Sequence, residues 1–326
     1  MKKTKKIIMT LAAVLMLSLF LLSGCGKKGL PALHVDGTHL ADEKGNLVQL
    51  RGLSTHGIAW FPQYVDKDCI HELKELFGIN VLRIAMYTAE NGGYCTDGDK
   101  EALKALVMKG VDICEEEGIY AIIDWHILRD GNPKMNQDEA IKFFDEMSAK
   151  YADKTHVLYE ICNEPNGDRA HWPEILEYAK TVIPVIRAHD PDAVIICGTP
   201  SFSKLSYAAE KNRLDDPNVV YTQHFYAASD ISLRNDLQRA IDGGVPVFVS
   251  EFGIVEANGN GAADTESGDA WMEILDKYGI SYVMWNISNK DEGSAIFRAD
   301  VTKTSGFTLD DMNESAVWYY HHLTGK

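Results

Sequence analysis

The sequence predicts a single-domain α/β protein, a closed (β/α)₈ barrel, and three observations carry that prediction. Short β-rich runs alternate with longer helical patterns from residue 47 onward, the alternation occurs eight times, and several of the runs are apolar throughout. Strictly alternating βα units imply a parallel sheet, and strands covered on both faces read as continuous apolar runs. Eight units in about 280 residues favour closure over an open sheet. The nearest approach to a dinucleotide-binding turn, Gly259-Asn260-Gly261-Ala262-Ala263-Asp264, lacks the third glycine and follows no strand directly.

In chain order the predicted strands are Leu47–Gly52, Asn80–Tyr87, Tyr120–His126, Val157–Pro165, Ala193–Pro200, Val219–Tyr226, Val245–Gly253 and Ser281–Ser288. The helices between them are Lys67–Phe77, Lys100–Glu117, Gln137–Tyr151, Trp172–His189, Phe202–Lys211, Leu233–Ile241 and Glu266–Tyr278, with Leu309–Leu323 closing the eighth unit. In Lys100–Glu117 the apolar residues Leu103, Leu106, Val107, Val111 and Cys114 recur at three- and four-residue steps, with lysines and glutamates between. Gly78, Gly118 and Gly279 follow helices where a left-handed cap is needed, and each precedes an Ile or Tyr that opens the next strand.

The first residues stand apart from this pattern. Lys2, Lys3, Lys5 and Lys6 precede an apolar run from Ile7 to Leu22, followed by Leu22-Ser23-Gly24-Cys25. The run is shorter than the roughly 20 residues of a spanning helix. A basic start, an apolar middle and a small-residue end describe a secretory signal, expected over residues 1–24. The tetrapeptide resembles a bacterial lipobox, which implies cleavage before Cys25, lipidation of its thiol and an exported protein held on the cell surface or periplasmic face through that anchor alone. Residues 25–32 are then a tether and 33–326 the barrel. Cys69, Cys95, Cys114, Cys162 and Cys197 form no CxxC pair and are expected as buried free thiols. The chain of 326 residues carries a net charge of −16, which disfavours nucleic acid and anionic membrane surfaces as partners.

In such a barrel chemistry collects where strands end at their C-termini. Those ends carry His56 and Trp60, Arg83 and Tyr87, Asp124-Trp125-His126, Asn163-Glu164-Pro165, His224-Phe225-Tyr226, Ser250-Glu251-Phe252-Gly253, and Trp285. Aliphatic residues would suffice for packing. Glu164 and Glu251, three strands apart, would face each other across the mouth, and paired carboxylates serve glycoside hydrolysis. Glu160 shares the face of Glu164 but lies deeper, as a hydrogen-bonded interior residue. Other chemistries lack their signatures: Thr55-His56-Gly57 offers one histidine where a barrel zinc hydrolase needs HxH, and neither HExxH nor GxSxG occurs. Ser201-Phe202-Ser203-Lys204 matches SxxK without its companion motifs and reads as the start of a helix.

These motifs, together with Leu50-Arg51-Gly52-Leu53-Ser54-Thr55-His56-Gly57, Arg83-Ile84-Ala85-Met86-Tyr87 and Tyr159-Glu160-Ile161-Cys162-Asn163-Glu164-Pro165-Asn166-Gly167, resemble glycoside hydrolase family 5, and within it the bacterial endo-β-1,4-glucanases. The likeness runs from about Leu33 to the C-terminus. Phe252 departs from it, standing where many relatives carry tryptophan. The resemblance implies a retaining endo-β-1,4-glucanase with no metal and no organic cofactor. The same machinery on mixed-linkage glucan, glucomannan or xyloglucan stays open, as does a non-catalytic glucan-binding surface lipoprotein, against which the two intact glutamates argue; a monomer is expected. The resemblance makes Glu164 the acid/base and Glu251 the nucleophile, with Arg83 and Tyr226 holding Glu251 and Arg83 lowering its pKa. Asn163 would bind the sugar 2-hydroxyl; His56, Tyr87, His126 and His224 would line the cleaving subsites. Trp60 and Trp285 would stack on glucose rings, Lys290 and Glu292 would bind hydroxyls of the neighbouring sugar, and Ala257 would also be substrate-binding. A cis peptide between Trp285 and Asn286 is implied as well.

Overall fold

A computed structural model describes residues 29–205 and 207–326, so the signal and the lipidation site at Cys25 lie outside the described residues. The chain first forms a small antiparallel sheet of β1 (Leu33–Asp36), β2 (His39–Asp42) and β3 (Leu47–Val48). The barrel follows: β4 (Arg51–Thr55), β5 (Val81–Tyr87), β6 (Tyr120–His126), β7 (Val157–Cys162), β8 (Ile195–Cys197), β9 and β10 (Val219–Thr222 and Phe225–Tyr226, one strand position in two pieces), β11 (Val247–Gly253) and β12 (Tyr282–Ile287). All neighbours pair in parallel. β12 pairs with β4 and β11 with β9, which closes the ring.

The principal helices are α1 (Lys67–Phe77), α2 (Lys100–Glu117), α3 (Gln137–Tyr151), α4 (Trp172–Arg187), α5 (Tyr207–Lys211), α6 (Leu233–Asp242), α7 (Thr265–Lys277) and α8 (Glu314–Thr324). Their ends obey the capping chemistry of the sequence. Asp99 accepts from the N–H groups of Glu101 and Ala102 at 3.0 and 3.1 Å, and Gly78 and Gly118 turn left-handed at φ 68° and 70°. None of the described helices is long and apolar enough to cross a membrane.

Strand alternation sorts the buried side chains into two sets. Leu82, Ile84, Ile123, Tyr159 and Val249 face the helices. Val81, Ile122, Leu158, Ile196, Val220, Phe248 and Val283 face inward and form an apolar floor, which Leu33 and Leu40 of the small sheet cap from below. Two residues further along, the inward positions turn polar: Arg83, Asp124, Glu160, Thr222 and Ser250 are all fully buried. The barrel is therefore oil at its floor and an ion-pair network at mid-height, directly beneath the mouth.

Several sequence expectations shift. The first barrel strand begins at Arg51, because Leu47–Val48 pairs with β2 in the small sheet. The expected helix Phe202–Lys211 is replaced by a strap whose Ser201, Phe202 and Ser203 all have positive φ (60°, 64°, 52°), with α5 after it. Phe202 N–H donates to Pro165 O at 3.0 Å, and the Ser203 hydroxyl donates to Asn163 O, so the end of β7 holds the strap out of a helix. Leu309–Leu323 divides into a short 3₁₀ turn (Leu309–Asp311) and α8. The docked chain also starts before residue 33. Leu30 O accepts from the Thr155 hydroxyl and Pro31 O from Tyr120 Oη at 2.8 Å, both at the floor. The cysteines meet their expectation: all five described are free, and Cys95 alone is not fully buried.

Candidate active site

Glu164 and Glu251 reach the mouth from β7 and β11, and neither strand is regular there. Glu160 pairs with Ile196 while Cys162 pairs with Cys197, so β7 carries an extra residue just before Asn163-Glu164. Val249 pairs with Tyr282 and Phe252 with Met284, so β11 carries one at Ser250-Glu251. A bulge re-aims the side chains beside it. Here it lets the consecutive Ser250 and Glu251 both serve the interior. A third irregularity lies between Trp285 and Ile287 on β12, where the Trp285–Asn286 peptide is cis as expected.

Carboxylate oxygens of Glu164 and Glu251 and a ring nitrogen of His224 all lie within 4.8 Å of one another. Glu251 is gripped twice, by Arg83 Nη1 donating to Oε2 at 3.0 Å and by the Tyr226 hydroxyl donating to Oε1 at 2.9 Å. Arg83 Nε also donates to Glu160 Oε2 at 2.7 Å, and its Nη2 reaches Asn163 Oδ1 at 2.6 Å and Asp124 Oδ2 at 3.0 Å. Glu164 Oε1 meets His224 Nδ1 at 2.9 Å. The hydrogen bonds of Glu164, Glu251 and His224 run to one another, to Ser250 and to Arg83 and Tyr226, which joins them in one acid–base cluster.

Burial and neighbours set the protonation states. Glu164 is pushed up to about 8, chiefly by burial, with Arg83 and then Lys204 opposing. Asp124 rises to about 7 through burial against the pull of Arg83. Burial lowers the histidines, His56 to about 3, His224 to about 4 and His126 well below its ordinary value, so all three are neutral near pH 7. Glu251 corrects an expectation. Arg83 was to hold its carboxyl low, yet burial, reinforced by the charge of Glu164, raises it above the ordinary value. One guanidinium is shared among three carboxylates, Asp124, Glu160 and Glu251, and cannot offset burial for each.

The cleft above measures about 590 Å³. His56, Trp60, Tyr87, His126, Trp285, Lys290, Glu292 and Ala257 line it beside Glu164, His224, Tyr226 and Glu251. Arg83 and Asn163 lie beneath its wall, fully buried. Trp60, 39% exposed, is steadied by its Nε1 donating to Asn91 O at 2.9 Å. His126 and Trp285 stack at 5.2 Å, and Lys290 Nζ meets Glu292 Oε2 at 2.5 Å. Sequence reasoning missed Glu90, Leu128, Phe202, Lys204 and Asp230, which also line the cleft. Phe202 is 46% exposed and stands on the strap beyond Glu164. An aromatic residue five positions after a barrel strand was the available signal, masked by the helical reading of its segment.

Residues 41–291 match the family model described as cellulase (glycosyl hydrolase family 5). Endoglucanase A of Butyrivibrio fibrisolvens is 45% identical over 296 residues, covering 90% of this chain and 68% of the relative. Endoglucanase A of Evansella cellulosilytica is 43% identical over 277 residues, with 84% and 56% covered. The chain thus spans between about half and two-thirds of the length of these relatives. Among solved structures, the catalytic domain of Thermobifida fusca endoglucanase Cel5A, in a complex with cellotetraose, superposes with a TM-score of 0.85 at 36% identity, covering 90% of this chain and 97% of that one. The cellulase Cel5C_n gives 0.86 at 42% identity, with 90% and 92% covered.

Proposed function

The chain belongs to the cellulase family, glycosyl hydrolase family 5, and from that premise we propose that it is a retaining endo-β-1,4-glucanase. The carrying observation is the pair of unlike carboxylates within 4.8 Å across one open cleft. Retaining glycosidases place their carboxyls about 5–5.5 Å apart, too close for a water between carboxylate and sugar. Glu251, held by Arg83 and Tyr226 with its oxygens fixed, attacks the anomeric carbon. Glu164, which carries a proton below about pH 8, gives it to the leaving oxygen and then takes one from water. Asn163, oriented by Arg83, offers its amide to the sugar 2-hydroxyl.

Trp60, after β4, and Phe202, after β8, line the cleft as exposed aromatic faces from opposite sides of the barrel mouth, which suits holding a chain across it for an internal cut. The test is a panel of β-1,4-glucan, mixed-linkage glucan, glucomannan and xyloglucan with product sizing, together with NMR of the first-formed anomer. Internal cuts in β-1,4-glucan that release the β-anomer are expected; an initial α-anomer overturns retention, and preference for another polymer overturns the substrate. We further propose that the enzyme is exported and anchored by lipid at Cys25, on the strength of the basic, apolar and lipobox segments before it.

A further inference from the structure

Behind the acid/base glutamate runs a hydrogen-bond chain whose proton count allows one arrangement. His224 Nε2 lies 3.0 Å from Ser250 Oγ. Ser250 Oγ lies 2.7 Å from Glu160 Oε1 and 2.8 Å from Thr222 Oγ1. Ser250, Thr222, His224 and Glu160 are all buried, so no bulk water completes these contacts. Burial raises the pKa of Glu160 while Arg83 opposes; with Glu160 ionised against the Arg83 Nε–H that its other oxygen takes at 2.7 Å, it accepts on both oxygens. A serine hydroxyl has one hydrogen and two lone pairs. Its hydrogen goes to Glu160, which accepts only, and its lone pairs then take the hydrogens of Thr222 and of His224 Nε2. The neutral imidazole carries a single proton, so His224 Nδ1 is bare. The 2.9 Å contact from that nitrogen to Glu164 Oε1 is a hydrogen bond only if the proton sits on Glu164.

We propose that Ser250 is a positioning residue for the reaction, fixing His224 as its Nε2–H tautomer so that the bare Nδ1 accepts from, and thereby preserves, the acid form of Glu164. Thr222 and Glu160 serve the same end by filling the remaining valences of Ser250. The opposite tautomer would donate Nδ1–H to Glu164 and favour its carboxylate, which is the wrong state for an acid. It would also turn the Ser250 hydrogen toward His224 and strip Glu160 Oε1 of its donor inside the barrel. The arrangement explains why β11 needs its bulge at this point. Glu251 must face the mouth and Ser250 the interior on consecutive residues.

Charged and titratable groups around Glu164 and His224 are Arg83 and Tyr87 on β5, Asp124 and His126 on β6, Glu160 on β7, Lys204 on the strap, Tyr226 on β10 and Glu251 on β11. Ser250→Ala leaves all of them in place and removes the acceptor that selects the tautomer, together with the hydrogen that Glu160 Oε1 accepts and the acceptor for Thr222.

The inference rests on Glu164 being the acid/base, and the test separates the two. In the full-length protein labelled with ¹⁵N-histidine, long-range ¹H–¹⁵N correlations report the tautomer without any substrate. The proton on Nε2 of His224 is expected; a proton on Nδ1 overturns the proposal, whatever becomes of Ser250→Ala. In kinetics, Ser250→Ala should move the alkaline limb of kcat/KM down by about one pH unit, since a hydrogen bond donated to the carboxylate favours its charged form. Its kcat should drop roughly 10- to 100-fold on substrates with poor leaving groups, within the range that general acid catalysis supplies. Dinitrophenyl cellobioside should be spared, and Ser250→Thr should restore both properties. A Ser250→Ala enzyme weakened equally at every pH and with every leaving group refutes the relay and leaves Ser250 a packing residue. Undiminished turnover by Glu164→Gln would instead refute the assignment of Glu164, with the tautomer result standing by itself.

Discussion

Glu164 and Glu251 share a functional group and a cleft, and their neighbours divide the work between them. Arg83 and Tyr226 leave Glu251 no freedom to turn away, so Glu251→Gln should abolish nearly all turnover, a loss readable with any substrate. Glu164→Ala should retain the first step when the leaving group is dinitrophenolate, and azide should rescue the second step as a β-glycosyl azide. An α-azide from that variant would mean that the two roles are reversed. Stability carries the same signature. The Glu164 pKa is raised from 4.5 to about 8 in the folded state. The folded protein therefore binds the extra proton, and the stability this contributes is complete below about pH 4.5 and lost as pH rises through about 8. Glu164→Gln removes the titration. Its Tm should exceed that of the native protein by a few degrees at pH 9, with a smaller gap at pH 5. Equal gaps at the two pH values, by calorimetry, would contradict the assignment.

Elements rather than residues decide where those side chains point. At Gly198, just after β8, an added Cβ would stand 2.1 Å from Cys162 O and 2.9 Å from Pro165 Cδ, against the segment that bears Asn163 and Glu164. Gly198→Ala must push that segment aside, at a cost of about 1–3 kcal/mol. We expect a Tm lower by several degrees together with a lower kcat, since the same displacement moves the acid; a variant with native Tm and kcat would show the strand end to be more compliant than its packing indicates. The amphipathic helices and their glycine caps were legible because a period near 3.6 and a left-handed cap are local properties. The strand ends were legible only as a list. Period-two reasoning puts Ser250 and Glu251 on opposite faces, and the bulge that reconciles them depends on pairing with β12, which no local window contains. The strap at Ser201–Ser203 was misread for a related reason: its left-handed backbone is held by Pro165 and Asn163, about forty residues earlier. The small sheet left a stronger trace. Asp36-Gly37, with Gly37 at φ 63° between two alternating runs, is a hairpin signal that the search for barrel strands passed over.

At the scale of the whole molecule, the barrel has two faces with separate tasks. Strands end at the mouth, where the chemistry is, and begin at the floor, where Leu33 and Leu40 seal the apolar layer and where Leu30 and Pro31 are tied to Thr155 and Tyr120. The chain therefore enters the fold on the side opposite the cleft. Cys25→Ser should abolish acyl labelling and shift the enzyme from the membrane fraction to the medium or the precursor pool, and unchanged palmitate incorporation would refute lipidation. With Cys25 acylated, only Gly26, Lys27 and Lys28 would separate the lipidated residue from Gly29, a reach of about 14 Å over the four steps at full extension. So short a leash would give the enzyme an up and a down. Under the proposed anchoring its underside would be pressed to the bilayer, and the glutamates would look outward into the medium, where a passing polymer could lie across them without either of its ends being found.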